Sequence, residues 1–420
     1  MNSKKGFIIY LCIILFLTNM LGYHGPGGPF FEGKLGGQLI RVFLVLLVPI
    51  VFMLSDRFPK TTLIKATTML MFFQLLSMLG AVVIHNQTFV DSFIVTSWAF
   101  IYLMFPMMYI LRVKEEPLIK LCFILGVFFT VVAAVQQFTF PVHWFGGGVD
   151  EETGEPIMRN GIIRYGITPG VWGLIMLYYS FQKYLERGKR KYLIYILIGL
   201  VSVYLSCTRQ IMAASAGCLL VGLYLKGKMK VSALVGILVV GLVIYHFSDT
   251  LFSDYKEMTE DDVTNDEYVR FVGYRFFALE YNKDRPLAIL IGNGISRYYA
   301  SNFGDEMEMY SRDYGLNLND IGLVGEYNMH GIIYIFVIFY VFYYIFKNRK
   351  YIDLYLQLYM LQAAVTSVML MPFRCHVGTW GTVLVLYLID VQIRRNKRAE
   401  KQARLERARK KNANDGAYNS

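Results

Sequence analysis

The stretch "LVSVYLSCTRQIMAASAGCLLVGLYL" (residues 200–225) holds two apolar runs separated by one short polar knot, and that knot contains Arg209. Two such runs joined by a few residues read as a helical hairpin long enough to cross a bilayer core of roughly 30 Å twice. The rest of the chain is built for the same solvent. Of 420 residues 55% are hydrophobic, 16% aromatic and only 17% charged, and the mean hydropathy is +0.41. A water-soluble chain of this length carries more charge on its surface.

Further apolar runs place spans at about 7–22, 36–54, 63–84, 93–111, 118–140, 167–185, 192–206, 209–225, 231–247, 330–346, 352–371 and 376–393. The expected fold class is an all-α polytopic membrane protein with about 12 transmembrane helices, because the alternation of barrel strands is missing. The first span follows "MNSKK" like a signal peptide. No small-x-small cleavage site closes it, so it is expected to be retained. The organisation expected is 1–247 for spans one to nine, 248–329 for a long extracytoplasmic loop between spans 9 and 10, 330–393 for spans ten to twelve, and 394–420 for a basic tail.

Charge sets the orientation. With both termini in the cytoplasm, the breaks "SDRFPKTTLIK", "LRVKEEPLIK", "KYLERGKRK", "KGKMK" and "KNRK", the first two lysines and the tail hold 29 of the 42 Lys and Arg. The short breaks on the other side hold six, and the long loop holds seven. This asymmetry follows the positive-inside rule. The net charge of +11 and the tail "RRNKRAEKQARLERARKK" therefore read as an anchor near anionic headgroups, not as a nucleic-acid site. Cys12, Cys122 and Cys218 lie within spans, while Cys207 and Cys375 sit near the outer ends of theirs and could pair. Neither pair nor trio has metal-ligand spacing, and no CxxC, HExxH, Walker loop or dinucleotide fingerprint is present.

Arg209 falls on the outer side, where arginine is disfavoured. It is either a side chain snorkelling to headgroups or part of an anion site facing the bundle interior. Its company favours the anion site. The same side carries Arg159 and Arg164 in "MRNGIIRYGITPG", Arg270 and Arg275 in "EYVRFVGYRFF", and Arg374 with His376 in "MPFRCHVG". Guanidinium forks bind phosphate oxygens in pairs and stay charged, so several around one pocket suit a pyrophosphate.

The long loop opens with "SDTLFSDYKEMTEDDVTNDEY", eight acidic residues against one lysine. It lacks the spacing of a calcium loop and reads as a solvated acidic face. "YVRFVGYRFFALEYN" follows with the spacing of an amphipathic helix lying over the bundle. "ILIGNGISRYY" offers a glycine turn but only a lone GxG. "NLNDIGLVGEYNMHGIIYIF" then brings Asp320 and Glu326 to the membrane face on the arginine side. Asp320 could equally cap the helix that begins there.

The order of these elements, "SCTR" at a hairpin, an arginine-bearing amphipathic segment, "PLAILIGNGI" and "DIGLVGEYNMHG", resembles the O-antigen polymerase and ligase superfamily, the Wzy-type membrane glycosyltransferases. The resemblance covers about 200–345 in motif and the whole chain in topology. It implies a GT-C-like glycosyltransferase of the bacterial cytoplasmic membrane. Such enzymes join glycans carried on undecaprenyl pyrophosphate at the outer face, with no nucleotide sugar, metal or cofactor. A chain-length regulator and a flippase of the same pathway are the implied partners. Arg209 and Arg270 match the family arginines that hold pyrophosphate, with Arg275, Arg164, Arg159, Arg374 and His376 as further candidates, and Asp320 or Glu326 would act on the attacking hydroxyl. Ligases typically carry His-Asn where this chain has Asn319 and Asp320, and His330 sits too far along to substitute, a departure that favours a polymerase. The alternatives are a ligase-type transferase, a lipid-linked oligosaccharide flippase or other transporter, and a membrane scaffold. The halves show no internal repeat of the kind transporters often carry, and a scaffold leaves the outer arginines unexplained.

Overall fold

Apolar runs bounded by Gly, Pro and charged turns coil into helices throughout, because a backbone in hydrocarbon must satisfy its polar groups within its own segment. The computed structural model describes residues 3–17, 33–142, 144–145, 158–159, 162–163, 170–206, 208–228, 230, 269–374 and 379–418. The expected ninth span, the acidic stretch 249–268, Arg164, Cys207, Cys375 and His376 lie outside them, and Arg159 is described only in its backbone.

The first part of the chain contributes α1 (Ser3–Leu17), α2 (Gly33–Met53), α3 (Thr62–Leu76), α4 (Met78–His85), α5 (Phe89–Thr96), α6 (Met104–Ile110) and α7 (Glu115–Thr139). A two-residue antiparallel ribbon, β1 (Met158–Arg159) with β2 (Ile162–Ile163), precedes α8 (Gly170–Arg187), α9 (Lys191–Leu205) and α10 (Arg209–Leu225). A lobe of short helices follows, α11 (Val269–Arg275), α12 (Pro286–Ile291) and α13 (Asn302–Tyr314). The chain closes with α14 (Gly322–Lys347), α15 (Leu354–Thr366) and α16 (Thr379–Tyr418). Among the described residues four segments are long and apolar enough to cross a membrane: Thr62–His85, Phe89–Ile110, Glu115–Thr139 and Gly322–Lys347.

α7 shows how such a helix is partitioned. Leu118, Leu121, Cys122, Leu125, Phe129 and Ala133 are buried at helical spacing, while Ile124, Val131 and Phe138 stand exposed on the opposite side. A helix that is apolar on both faces needs a non-aqueous solvent outside the bundle as well as a core within it. α7, α8 and α9 pack in succession, α15 packs on α8 and α10, α14 packs on α3, and α16 lies against α6. α8 and α9 come close because Gly199 has no side chain: a Cβ there would sit 2.8 Å from that of Leu177.

Several elements differ from the reading of the sequence. The run 93–111 is interrupted by a 3₁₀ turn, Ser97–Leu103, ahead of Pro106, whose ring removes a helix donor and crowds the preceding turn. The run 63–84 breaks at Ser77, between α3 and α4. The helix expected at 330–346 begins at Gly322, so Glu326 lies inside it and not in the preceding loop. The basic tail is no separate element either: α16 continues from Thr379 to Tyr418, and its residues from Lys401 to Arg409 are exposed.

The expected amphipathic segment is helical, α11 running into a π turn at Phe276–Glu280. Its inward face, Gly273, Phe277 and Tyr281, is buried at four-residue spacing. With Ala81, Phe303, Met307, Leu316 and Ile321, the two aromatic residues form a small core that seats the lobe on the end of α4. Arg297 adds an ion pair to Asp91 and a backbone donor to Gln87 Oε1 at 3.0 Å.

Candidate functional site

The connection between α15 and α16, "SVMLMPFR" (367–374), is the point on which most of the expected site residues meet. Leu323 N–H donates to Ser367 O (2.9 Å), and Tyr274 OH donates to Val368 O. Arg270 Nη1 reaches Met369 Sδ at 3.5 Å, and Gln210, beside Arg209, donates to Thr366 O at 3.0 Å. The peptide of Phe373 is clamped on both sides. Its N–H donates to Glu326 Oε1 (3.2 Å), and its C=O accepts from Gln74 Nε2 (2.7 Å), Tyr334 OH (2.7 Å) and Tyr102 OH (3.0 Å). Buried polar groups held this fully fix a single loop conformation. The residue so presented is Arg374.

Arg374 is half-buried on the wall of a cavity of about 340 Å³ between α8, α10, α15 and α16. The polar part of that wall is Gln362, Thr366, Thr379 and Thr382, with Tyr359 beside them. Gln362 Oε1 already accepts from Tyr178 OH and from Ser215 Oγ (3.2 Å), so its amide nitrogen is the group left to donate. The Thr366, Thr379 and Thr382 hydroxyls spend their protons on the carbonyls of Gln362, Arg374 and Pro372, so the guanidinium and the Gln362 amide are the donors that an otherwise apolar wall offers a hydroxylated or phosphorylated ligand. A second, larger cavity of about 680 Å³ lies at the opposite end of the bundle. Four of its five charges are paired, Lys120 with Glu116 at 2.9 Å and Arg395 with Glu115 at 2.8 Å, while Lys191 lies over the Tyr192 ring.

The remaining expected residues divide. Arg209 is half-buried at the first position of α10, and Arg270 is half-buried on α11, so both flank the same connection as Arg374. Arg275 stands exposed and pairs with Glu280 at 3.1 Å, away from that group. The two carboxylates occupy different environments. Asp320 ends a 3₁₀ turn, Leu318–Asp320, and is exposed. It does not cap α14, whose N-cap is Ile321. Glu326 is fully buried and holds Phe373.

α14 is a broken helix. Gly331 has φ +80° and ψ 172°, a conformation open to glycine. The break frees the carbonyls of Asn328 and Met329, which accept from the N–H groups of Asn293 and Gly294, both at 2.9 Å. The glycine turn thus completes a helix and cradles no phosphate. The fit is tight: a Cβ at Gly292 would lie 2.1 Å from Met329 O, and one at Gly331 would lie 2.2 Å from Leu290 O.

Sequence reading missed a polar cluster under the lobe. His85 Nε2 meets Asn293 Oδ1 at 2.9 Å, His85 Nδ1 lies 3.4 Å from Glu306 Oε2, and Tyr281 OH donates to Glu306 Oε1 at 3.2 Å. Arg285 lies 4.0 Å from the same carboxylate and stacks over the Tyr281 ring. Burial pushes the Glu306 carboxyl up, but His85, Arg285 and Tyr281 together outweigh it and hold the group below its ordinary range. His85 and Glu306 are too far apart in the chain for any local pattern to join them.

No protein-family model matches the chain, and no curated protein is significantly similar to it.

Proposed function

We propose that this chain is a Wzy-type polymerase that extends glycans carried on undecaprenyl pyrophosphate at the outer face of a bacterial cytoplasmic membrane. The observation that carries the reading is that Arg270 and Gln210, the neighbour of Arg209, both bond to residues 366–369 of the connection that bears Arg374, at the end of the bundle away from the lysine-rich turns. On this reading the full bundle has about twelve spans in a GT-C-like arrangement, both termini are cytoplasmic, and the 269–320 lobe is extracytoplasmic.

In the proposed reaction a sugar hydroxyl of the acceptor attacks the anomeric carbon of the lipid-linked donor. The bond from that carbon to the phosphate oxygen breaks, and undecaprenyl pyrophosphate departs with the bonding pair. The guanidinium groups of Arg209, Arg270 and Arg374 would stabilise the charge that develops there. Asp320 is the carboxylate open to a bulky substrate, so it accepts the hydroxyl proton. Glu326, enclosed and bonded to Phe373, positions the connection that bears Arg374.

A second reading as a lipid-linked oligosaccharide transporter draws on one feature. A discontinuous helix with buried ionisable residues, here α14 with Glu326 and His330, also occurs in carriers. Deletion in the native host, followed by gel analysis of surface polysaccharide, separates the readings. A single repeat unit on the lipid or core is the expected result. Retained lipid-linked polymer that is never ligated would instead mean a ligase, and repeat units trapped in the cytoplasm would mean a flippase.

A further inference from the structure

Behind the Phe373 clamp, three polar atoms of fully buried side chains have no hydrogen-bond partner among the described residues: Glu326 Oε2, His330 Nε2 and Gln74 Oε1. They belong to one network. Glu326 and His330 are one turn apart on α14, Ser77 Oγ lies 3.0 Å from His330 Nδ1, and Gln74 Nε2 donates to Tyr334 OH at 2.7 Å. The rings of His330 and Tyr334 are 4.8 Å apart.

Proton counting makes all three atoms acceptors. Gln74 has spent its amide nitrogen on Tyr334 and Phe373, so its oxygen has only lone pairs to offer. With the Ser77 hydroxyl proton on Gln74 O at 2.7 Å, the 3.0 Å contact to His330 Nδ1 is made by the Nδ1–H tautomer, donating to Ser77 Oγ. That tautomer leaves Nε2 bare. An ionised Glu326 adds a third acceptor and a negative charge in a place no solvent reaches. The nearby Tyr334 hydroxyl directs its proton to Phe373 O, and three lone pairs left without a hydrogen bond among the described residues, one of them anionic, are costly in a low-dielectric interior unless a positive species joins them. Water could supply two hydrogens but no charge, and the one cation facing the carboxylate among the described residues, Arg374, is half-buried on the wall of the neighbouring cavity. Among the described residues the charged and titratable groups facing the network are Tyr334 on α14, Tyr102 from the 3₁₀ turn and Arg374 from the connection. α3 contributes neutral Gln74, and neutral Ser77 joins from the break between α3 and α4.

We propose that Glu326, His330 and Gln74 bind one monovalent cation, a proton or an alkali ion. Bound there, it locks the Phe373 peptide and, through it, the placement of Arg374. The site stands whether the chain polymerises or transports glycans, because it rests on this network alone.

The test uses the full-length protein in lipid nanodiscs. Its thermal midpoint is followed as sodium chloride replaces choline chloride at constant ionic strength, and then in choline alone between about pH 8 and about pH 6. A ligand that binds only the folded state raises the midpoint, by about 2 °C or more at saturating concentration. A sodium response present in the wild type and absent in Glu326→Gln identifies an alkali ion. A rise on acidification that Glu326→Gln removes identifies a proton. Equal responses of wild type and variant in both series overturn the proposal. If the variant does not accumulate, the wild type decides. It should bind one equivalent of radioactive sodium, or show the infrared carbonyl band of a buried protonated carboxyl, and finding neither overturns the proposal.

Discussion

Arg209 sits at the start of α10 beside Gln210, which donates to Thr366 O, and Arg270 on α11 reaches Met369 Sδ itself. Replacing either by alanine should reduce polymer formation by about 10²–10³-fold while the protein still inserts, the scale of losing one preorganised donor to a developing anion. Lysine should restore little, because an ammonium is a point charge without the fork. Repeat-unit ladders on gels, normalised to membrane protein level, check both expectations. Asp320→Asn should keep protein level and donor binding but lose polymer, since the amide accepts no proton. Normal polymer from that variant would remove Asp320 from the mechanism. The arginines were legible in the sequence because a guanidinium on the sparsely charged side of a hydropathy plot is conspicuous. The separate environments of Asp320 and Glu326 were not, because they depend on where α14 begins. "GLVGEYNMHG" (322–331) looks too polar for a membrane helix until Glu326 is seen bonded to Phe373, and His330 to Ser77.

At the scale of elements, the lobe is held by Glu306 and its partners as much as by its aromatic core. The Glu306 carboxyl is depressed below its ordinary value of 4.5. Its contribution is therefore complete above the unfolded value and lost as pH falls through the folded one. Limited proteolysis of the 269–316 segment should accelerate as pH drops below about 4.5 in the wild type. In Glu306→Gln the segment should be cut faster at neutral pH and show a weaker pH dependence over the same window. Helix positions were largely readable because apolar run length is a local property. Breaks inside helices were less so: Pro106 announces one, whereas the interruption at Gly331 is set by the turn at Gly292–Gly294, which the linear sequence does not bring near it.

For the whole molecule, the charge asymmetry makes a prediction that does not depend on any catalytic assignment. In a background with the five native cysteines replaced, a cysteine at Asp305 should react with an impermeant thiol reagent in intact cells. One at Lys189 should react only after lysis. Both positions are exposed, so packing cannot explain silence at either. Reaction at Lys189 in intact cells would reverse the orientation and move the arginine group to the wrong side for an extracytoplasmic reaction.

The interrupted α14 also constrains how the protein is made. Asn293 and Gly294 leave the ribosome before Asn328 and Met329, whose carbonyls they occupy in the finished structure. The earlier segment must therefore remain incomplete until the later helix has been inserted beside it. Nascent chains arrested before Gly331 has cleared the insertion machinery therefore hold the Gly292–Gly294 turn without the two carbonyls that its N–H groups engage.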